Sequence, residues 1–442
     1  MKRPELLSPA GTLKNMRFAF AYGADAVYAG QPRYSLRVRN NQFSKEDILA
    51  QGIAEAHAAG KRFFLASNIA PHNNKLKSYI RDLEPIIEMG PDALIMSDPG
   101  LIMMVRETFP DVPIHLSVQS NVVNYAAVKF WQHMGLTRII LSRELSLKEV
   151  GQIREECPDM ELEVFVHGAL CIAYSGRCQL SGYMSHRDSN QGACTNSCRW
   201  KYNTYEARET STGDVAPIEV DPSTLPVALL EEETRPGELM PAYEDEHGTY
   251  IMNSRDLRAV QHVRELTEMG IDSLKIEGRT KSAYYTARTA QVYSRAIDDA
   301  VAGREFDMNM MNELEGLANR GFTEGFYRRH PPKEYQNYER GASKSDRQQL
   351  VGEITDKNDG WLTIDVKNKF EKGDMMELVT PSGNVTFPLE AMLNKHGDSA
   401  DVAPGSGHVM RIPLPEHVDD QAVDEFAMLV RYLPREPATS VA

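Results

Sequence analysis

Four of the five cysteines, Cys171, Cys178, Cys194 and Cys198, fall in one short stretch behind a strand-like run, Glu161-Leu-Glu-Val-Phe-Val-His-Gly168. Scattered structural thiols have no reason to gather, so the clustering points to one shared ligand. Four thiolates suit a tetrahedral zinc or an iron–sulfur cluster. Structural zinc favours two C-x2–4-C knuckles, and in C-x6-C-x15-C-x3-C only Cys194 and Cys198 come near one. A [4Fe–4S] cluster accepts wider spacings and is the favoured reading. The radical-SAM pattern C-x3-C-x2-C is absent, because Trp200 and Lys201 follow Cys198. A third reading is nucleophilic: Cys171 lies four residues after His167, and a Cys–His pair is the core of some hydrolases. It leaves three thiols unexplained, and neither H-E-x-x-H nor G-x-S-x-G occurs in the chain.

A second group of residues lies at strand ends: Ser8, Asn68, Asp98, Gln119, Arg143, His167, Glu277 and Arg279. Lys275, Glu277 and Arg279 alternate, so one side of a strand would carry all three charges, as binding of a small anion requires. His167, Glu277 and Arg279 are the catalytic candidates. Arg143, Lys275 and Gln119 are candidates for holding substrate, and Tyr174 and Trp200, beside the cysteines, for stacking on it.

The elements that must position these residues follow from periodicity. Apolar runs at 5–8, 26–30, 62–68, 93–98, 114–119, 138–143, 161–167 and 273–277 are rich in Val, Ile, Leu and Phe, as strands buried on both faces should be. Stretches 14–22, 44–59 and 146–156 have helical periodicity, with Ser44 and Ser146 as N-caps. Eight strands alternating with helices predict an α/β fold of the TIM-like (β/α)8 class. No Gly-rich phosphate loop follows the first strand, which argues against a dinucleotide-binding sheet. The expected domains are a barrel over 1–300 interrupted by a cysteine-rich insertion at 169–249, a helical and basic linker over 301–347, and a small all-β barrel over 348–435. Within the insertion, 201–208 and 249–253 are expected to pair as a closing hairpin. Asn358-Asp-Gly and Pro381-Ser-Gly punctuate the β-domain as turns.

At 442 residues, 41 % hydrophobic and 25 % charged, the chain has a globular composition. It shows no signal core or membrane-length apolar run, which predicts a cytoplasmic protein with reduced thiols. A net charge of −14 argues against general DNA binding. Local basic groups remain: Arg33, Arg37 and Arg39; Arg199 and Lys201; and Arg320, Arg328, Arg329, His330 and Lys333.

The run Glu163-Val-Phe-Val-His-Gly-Ala-Leu-Cys171-Ile-Ala-Tyr-Ser-Gly176-Arg-Cys178-Gln-Leu-Ser181 resembles the signature E-x-F-x-x-G-[SA]-[LIVM]-C-x4-G-x-C-x-[LIVM]-S of the collagenase-like, U-type peptidase family, at every fixed position. Similar stretches occur at 5–11, 23–30, 192–200 and 272–279, and the resemblance spans the whole chain. It implies an oxygen-independent hydroxylation protein acting on tRNA, ribosomal RNA or ubiquinone precursors. The implied cofactor is a [4Fe–4S] cluster on Cys171, Cys178, Cys194 and Cys198. The chain is most similar to members that form 5-hydroxyuridine at the tRNA wobble position with prephenate as co-substrate. The implied partners are the tRNA anticodon loop and prephenate, with an electron-donor protein compatible with both. The alternatives are a collagenase-like cysteine protease and a non-catalytic RNA-binding cluster protein.

Overall fold

The computed structural model describes residues 1–36, 41–170, 255–319, 321–328, 347–416 and 418–433, and the backbone of six short strands between 207 and 249. The four clustered cysteines, Tyr174, Trp200, Arg37, Arg39 and residues 320 and 329–346 of the linker lie outside the described residues.

Eight parallel strands close into a barrel. They are β1 (Glu5–Pro9), β2 (Ala26–Gly30), β3 (Arg62–Ser67), β4 (Ala93–Met96), β5 (Ile114–Leu116), β6 (Arg138–Ile140), β7 (Glu161–Ala169) and, after the insertion, β9 (Ser273–Ile276). Each pairs with the next, and β9 closes the ring by pairing with both β7 and β1. Between β7 and β9 the short β8 (Asp256–Arg258) runs antiparallel to β7, and β10 (Phe322–Thr323) extends it.

The helices that cover the barrel start where the sequence supplies a side-chain oxygen. Thr12 caps α1 (Leu13–Ala21), Asp98 caps α4 (Pro99–Thr108) and Asn124 caps α5 (Tyr125–His133). Ser146 and Glu149 form a full capping box on α6 (Leu147–Glu156). Ser44 is not the cap of α2 (Glu46–Ala58). It ends a short 3-10 turn, and Lys45 stands at the cap without a side-chain bond. The set is completed by α3 (Asn73–Glu88), α7 (Val263–Glu268), α8 (Ala283–Val301) and α9 (Asn309–Glu315). No helix among the described residues is long and apolar enough to cross a membrane.

Most of the expected closing hairpin, residues 201–206 and 250–253, lies outside the described residues. Ala207–Glu209 pairs with Val215–Pro217, and Gly248–Thr249 with Glu244–Asp245, so each takes a local partner. The insertion's exit and return are joined by the β7–β8 ladder, Ala169 opposite Asp256 and His167 opposite Arg258. A local turn closes at lower entropic cost than a ladder between residues some forty apart in sequence.

The C-terminal domain is antiparallel. Its strands are β11 (Gln348–Asn358), β12 (Trp361–Val366), β13 (Met375–Thr380), β14 (Gly383–Pro388), β15 (Leu393–Asn394), β16 (Val409–Pro413) and β17 (Met428–Tyr432), ordered β14-β13-β17-β11-β12-β16-β15. The β11–β12 hairpin turns on Asp359 and Gly360, both at positive φ, as a two-residue primed turn requires.

The two domains share a core. Val379, Met428 and Val430 pack with the barrel's apolar cluster. The Tyr22 hydroxyl donates to the Phe426 carbonyl at 2.9 Å, and the Phe18 and Phe426 rings meet edge-on. Arg288 of α8, fully buried, donates to Glu377 of β13 at 2.6 Å, and Gln348 donates to the same carboxylate oxygen at 2.7 Å. Removing one member of a buried ion pair strands the other and costs about 3–5 kcal/mol. Glu377→Ala is therefore expected to lower the unfolding free energy by about that much, and Arg288→Met with Glu377→Met to restore most of it. Urea denaturation of the wild type and the two variants checks this.

Candidate active site

A charged residue inside a strand buried on both faces must bring its counter-charge with it. Glu163 of β7, with 0 % exposure, accepts from Arg138 of β6 through one oxygen at 3.1 Å and from Lys275 of β9 through the other at 2.8 Å. Arg138 also donates to Glu5 at 2.6 Å and to Glu161 at 2.9 Å, and Arg62 reaches Glu5. Burial alone would raise the pKa of Glu163. The pull of Lys275 and Arg138 overcomes it and holds the carboxyl below its usual range. Burial lowers the pKa of Lys275 against the attraction of Glu163.

Above this network, towards the C-terminal ends of the strands, cations and rings interleave. The Arg143 guanidinium lies 4.0 Å from the Phe165 ring centre, and Lys275 Nζ 5.5 Å from that same centre. Lys275 Nζ is 4.3 Å from the Tyr28 ring centre, and Arg279 lies 5.8 Å from it. Arg143 donates to Glu277 at 3.2 Å and Arg279 to Ser35 at 2.8 Å. Gly30 makes room for Arg279: a Cβ there would stand 2.6 Å from its Nη1. The column Arg143–Phe165–Lys275–Tyr28–Arg279 places three cations against Glu163 and Glu277. Electrostatically it is suited to an anion.

Arg143, Lys275, Glu277 and Arg279 are thus brought together. Among the described residues, the other predicted site residues are not. His167 is 1 % exposed and packs among Tyr285, Tyr293 and Phe322. The cause is a bulge. Phe165 pairs with Lys275 but His167 with the very next residue, Ile276, so β7 spends one extra residue and its alternation reverses. His167 then faces α8 instead of the barrel interior. Burial depresses its pKa to about 3. Asp98 is a helix cap, and Asn68 donates to Ser117 Oγ at 3.2 Å. Gln119 is half-buried on the turn after β5, its side chain making no hydrogen bond among the described residues.

Tyr28, Phe165, Glu163 and Arg138 were not singled out by sequence reasoning. The signal was available: acidic and basic residues standing inside otherwise apolar strands. Gln31, at the end of β2, is also new. It is fully buried, and among the described residues neither amide atom is hydrogen-bonded.

The cysteine segment leaves the described residues at Leu170, at the mouth end of β7. Just before it Gly168 has φ +106°, and a Cβ there would lie 2.4 Å from the Glu277 carbonyl oxygen, so only glycine fits. The remaining thiol, Cys157, is buried at the C-cap of α6, at the opposite end of β7. It is not placed to join the other four. The four clustered thiols of the sequence match the donor number of a [4Fe–4S] cluster. Among the described residues no other group of three or more potential ligands gathers.

A closed parallel barrel with a polar, cationic mouth and an antiparallel C-terminal sheet is the architecture on which the comparisons bear. Residues 11–337 match the model of Peptidase family U32 and residues 346–429 that of the Peptidase family U32 C-terminal domain, and the chain belongs to this family. It is 63 % identical to tRNA hydroxylation protein P of Escherichia coli (strain K12), over 95 % of each chain. Its similarity to tRNA hydroxylation protein P of Haemophilus influenzae is 58 % identity, over 98 % of this chain and 96 % of that one. The solved structure of the U32 peptidase Mk0906 is similar over 63 % of this chain and 94 % of its own, at 14 % identity and a TM-score of 0.38.

Burial of a neutral histidine has a pH signature. The unfolded chain binds the proton below about pH 6.5 and folded His167 only near pH 3, so its contribution is complete above the first value and drains as pH falls. The slope is about 1.4 kcal/mol per pH unit. Urea denaturation at pH 7, 6 and 5 should show the unfolding free energy of His167→Phe falling less steeply than that of the wild type, by up to about that slope. Equal slopes would mean that His167 titrates normally in the fold.

Proposed function

We propose that the protein hydroxylates tRNA, forming 5-hydroxyuridine at the wobble position without molecular oxygen, with prephenate as co-substrate and a [4Fe–4S] cluster on Cys171, Cys178, Cys194 and Cys198. The observation that carries this reading is the 63 % identity, end to end, with a protein named for tRNA hydroxylation. The more distant 23S rRNA 5-hydroxycytidine C2501 synthase of E. coli, 30 % identical over 77 % of this chain and 45 % of its own, is also named for RNA hydroxylation.

The mouth supports the same reading in chemical terms. A dicarboxylate such as prephenate needs at least two cations in a partly dry site, and Lys275 and Arg279 both lie within 6 Å of the Tyr28 ring centre, at 4.3 and 5.8 Å. Lys275 Nζ is paired with Glu163 at 2.8 Å, and this attraction opposes the lowering of its pKa by burial. The amide of Gln31, unpartnered among the described residues, would be satisfied by a polar ligand. Cys171, Cys178, Cys194 and Cys198 would hold a cluster, and it would supply Lewis-acid or one-electron chemistry.

A wobble uridine is unpaired, so it can be splayed into a pocket and stacked, for which Tyr174 and Trp200 remain the candidates. The C-terminal domain carries 15 carboxylates and seven lysines and arginines over 348–433, a balance poorly suited to gripping phosphates. Backbone contacts fall more naturally to Lys75, Lys77 and Arg81 of α3, a helix that begins at the mouth.

The protease alternative requires His167 to activate Cys171. A general base must titrate near its working pH, and a histidine buried among three rings with a pKa near 3 does not. The proposal is tested by nucleoside mass spectrometry of tRNA from cells lacking the gene. The expected result is loss of 5-hydroxyuridine and its derivatives, restored by the wild type and not by Cys171→Ser. An unchanged nucleoside profile would sink the substrate assignment. In vitro, with prephenate and substrate tRNA, Lys275→Met should lower kcat/KM for prephenate by on the order of a hundredfold, the loss of one buried charge-assisted contact. Anaerobically purified protein should hold about four irons per chain.

A further inference from the structure

Arg143 is expected from the sequence to contact substrate, but its guanidinium is turned to the protein. It stands at the end of β6 with its plane over the Phe165 ring of β7. Nη1 donates to the carbonyl of Ala169 at 3.1 Å, and Nη2 donates to Glu277 Oε2 at 3.2 Å. Ala169 is the last residue of β7, two before Cys171, and it pairs with Asp256, where the chain returns from the insertion. Next to it Gly168 lies with its backbone against the Glu277 carbonyl. One side chain therefore ties together β6, the stem of the cysteine segment and the residue following β9.

An exposed Arg–Glu pair at a barrel rim contributes little. This one differs in three ways. Its side chains are only 12 % and 17 % exposed. It is stacked on a ring. It also grips a backbone carbonyl on the stem itself. A flat guanidinium can stack and donate in two directions at once, and an ammonium cannot, so the arrangement specifies arginine and a direction.

We propose that Arg143 is a positioning residue. Through the Ala169 carbonyl and Glu277 it fixes the stem of the cysteine segment relative to Lys275 and Arg279, and so sets where the thiol-bound group stands with respect to the anion in the mouth. The proposal rests on the cluster reading given above. Its physical content is that the thiols can assemble their ligand without Arg143, but not at the right place.

The test uses anaerobically purified full-length protein: wild type, Arg143→Gln, Arg143→Lys and Glu277→Gln. Iron content, melting temperature, electron paramagnetic resonance of the reduced protein, midpoint potential, and kcat and KM for prephenate with substrate tRNA are measured. The expected result is wild-type iron content and melting temperature, an altered resonance line shape and a shifted potential. With these, kcat should fall by about a hundredfold, as misplacement by about an ångström produces, while KM changes less than about threefold. Arg143→Lys should not rescue, and Glu277→Gln should show the same changes in milder form. An unaltered resonance and potential with a raised KM would overturn the proposal in favour of direct substrate binding. Loss of iron together with a lowered melting temperature in both Arg143→Gln and Glu277→Gln would overturn it in favour of a merely structural pair. Wild type free of iron would overturn the cluster reading and this proposal with it. Iron-loaded wild type with unshifted variants overturns this proposal alone.

Discussion

Everything in the barrel is arranged around a carboxylate that water does not reach. Glu163 sits at the centre of a ring of strands, and its two oxygens are shared between Arg138 and Lys275. A lone charge there would cost far more than a folded protein has to spare. The ion pairs remove that cost, and they also decide where positive charge stands. Arg138 is drawn down towards Glu5 and Glu161. Lys275 is held higher, between two aromatic rings, one layer below the mouth. The polarity of the site thus follows from the way the barrel solves its own burial problem.

The second constraint is the extra residue in β7. By reversing the alternation after Phe165 it turns His167 out. It brings Gly168 into contact with the Glu277 carbonyl, and it aims the end of the strand so that Ala169 meets both Arg143 and β8. A strand without the bulge would carry the histidine into the mouth and leave no such junction. The local irregularity therefore sets which groups meet the cysteine segment at its root.

Much of this was legible in the chain. All eight barrel strands stand where their apolar runs lie, and β2 has the expected bounds, because buried strands write themselves as Val, Ile, Leu and Phe. The Lys275, Glu277 and Arg279 set was visible as alternation. His167 was not, since a bulge leaves no mark in a pattern of period two. The long-range partner of Asp256–Arg258 was equally hidden, because ladder partners far apart in sequence are chosen by tertiary packing. Arg138 and Glu163 were legible but passed over. A charge inside an apolar run marks a buried pair, and the two strands have to be read together to see it.

The contact between Tyr22 and Phe426 has a consequence for how the protein is made. The hydroxyl near the end of the first helix finds its acceptor 404 residues further along the chain. At roughly 5–20 residues per second, a ribosome needs on the order of 20–80 s to travel between them. The closing strand pair, Glu5 with Ser273, imposes a similar though shorter wait on β1. During that interval Phe18 and Tyr22, which in the finished fold pack towards Phe426, lack their partners, and the early strands form an open sheet with β1 as an unpaired edge. Apolar surface and a strand edge left open for that long are where a nascent chain of this topology is exposed to aggregation.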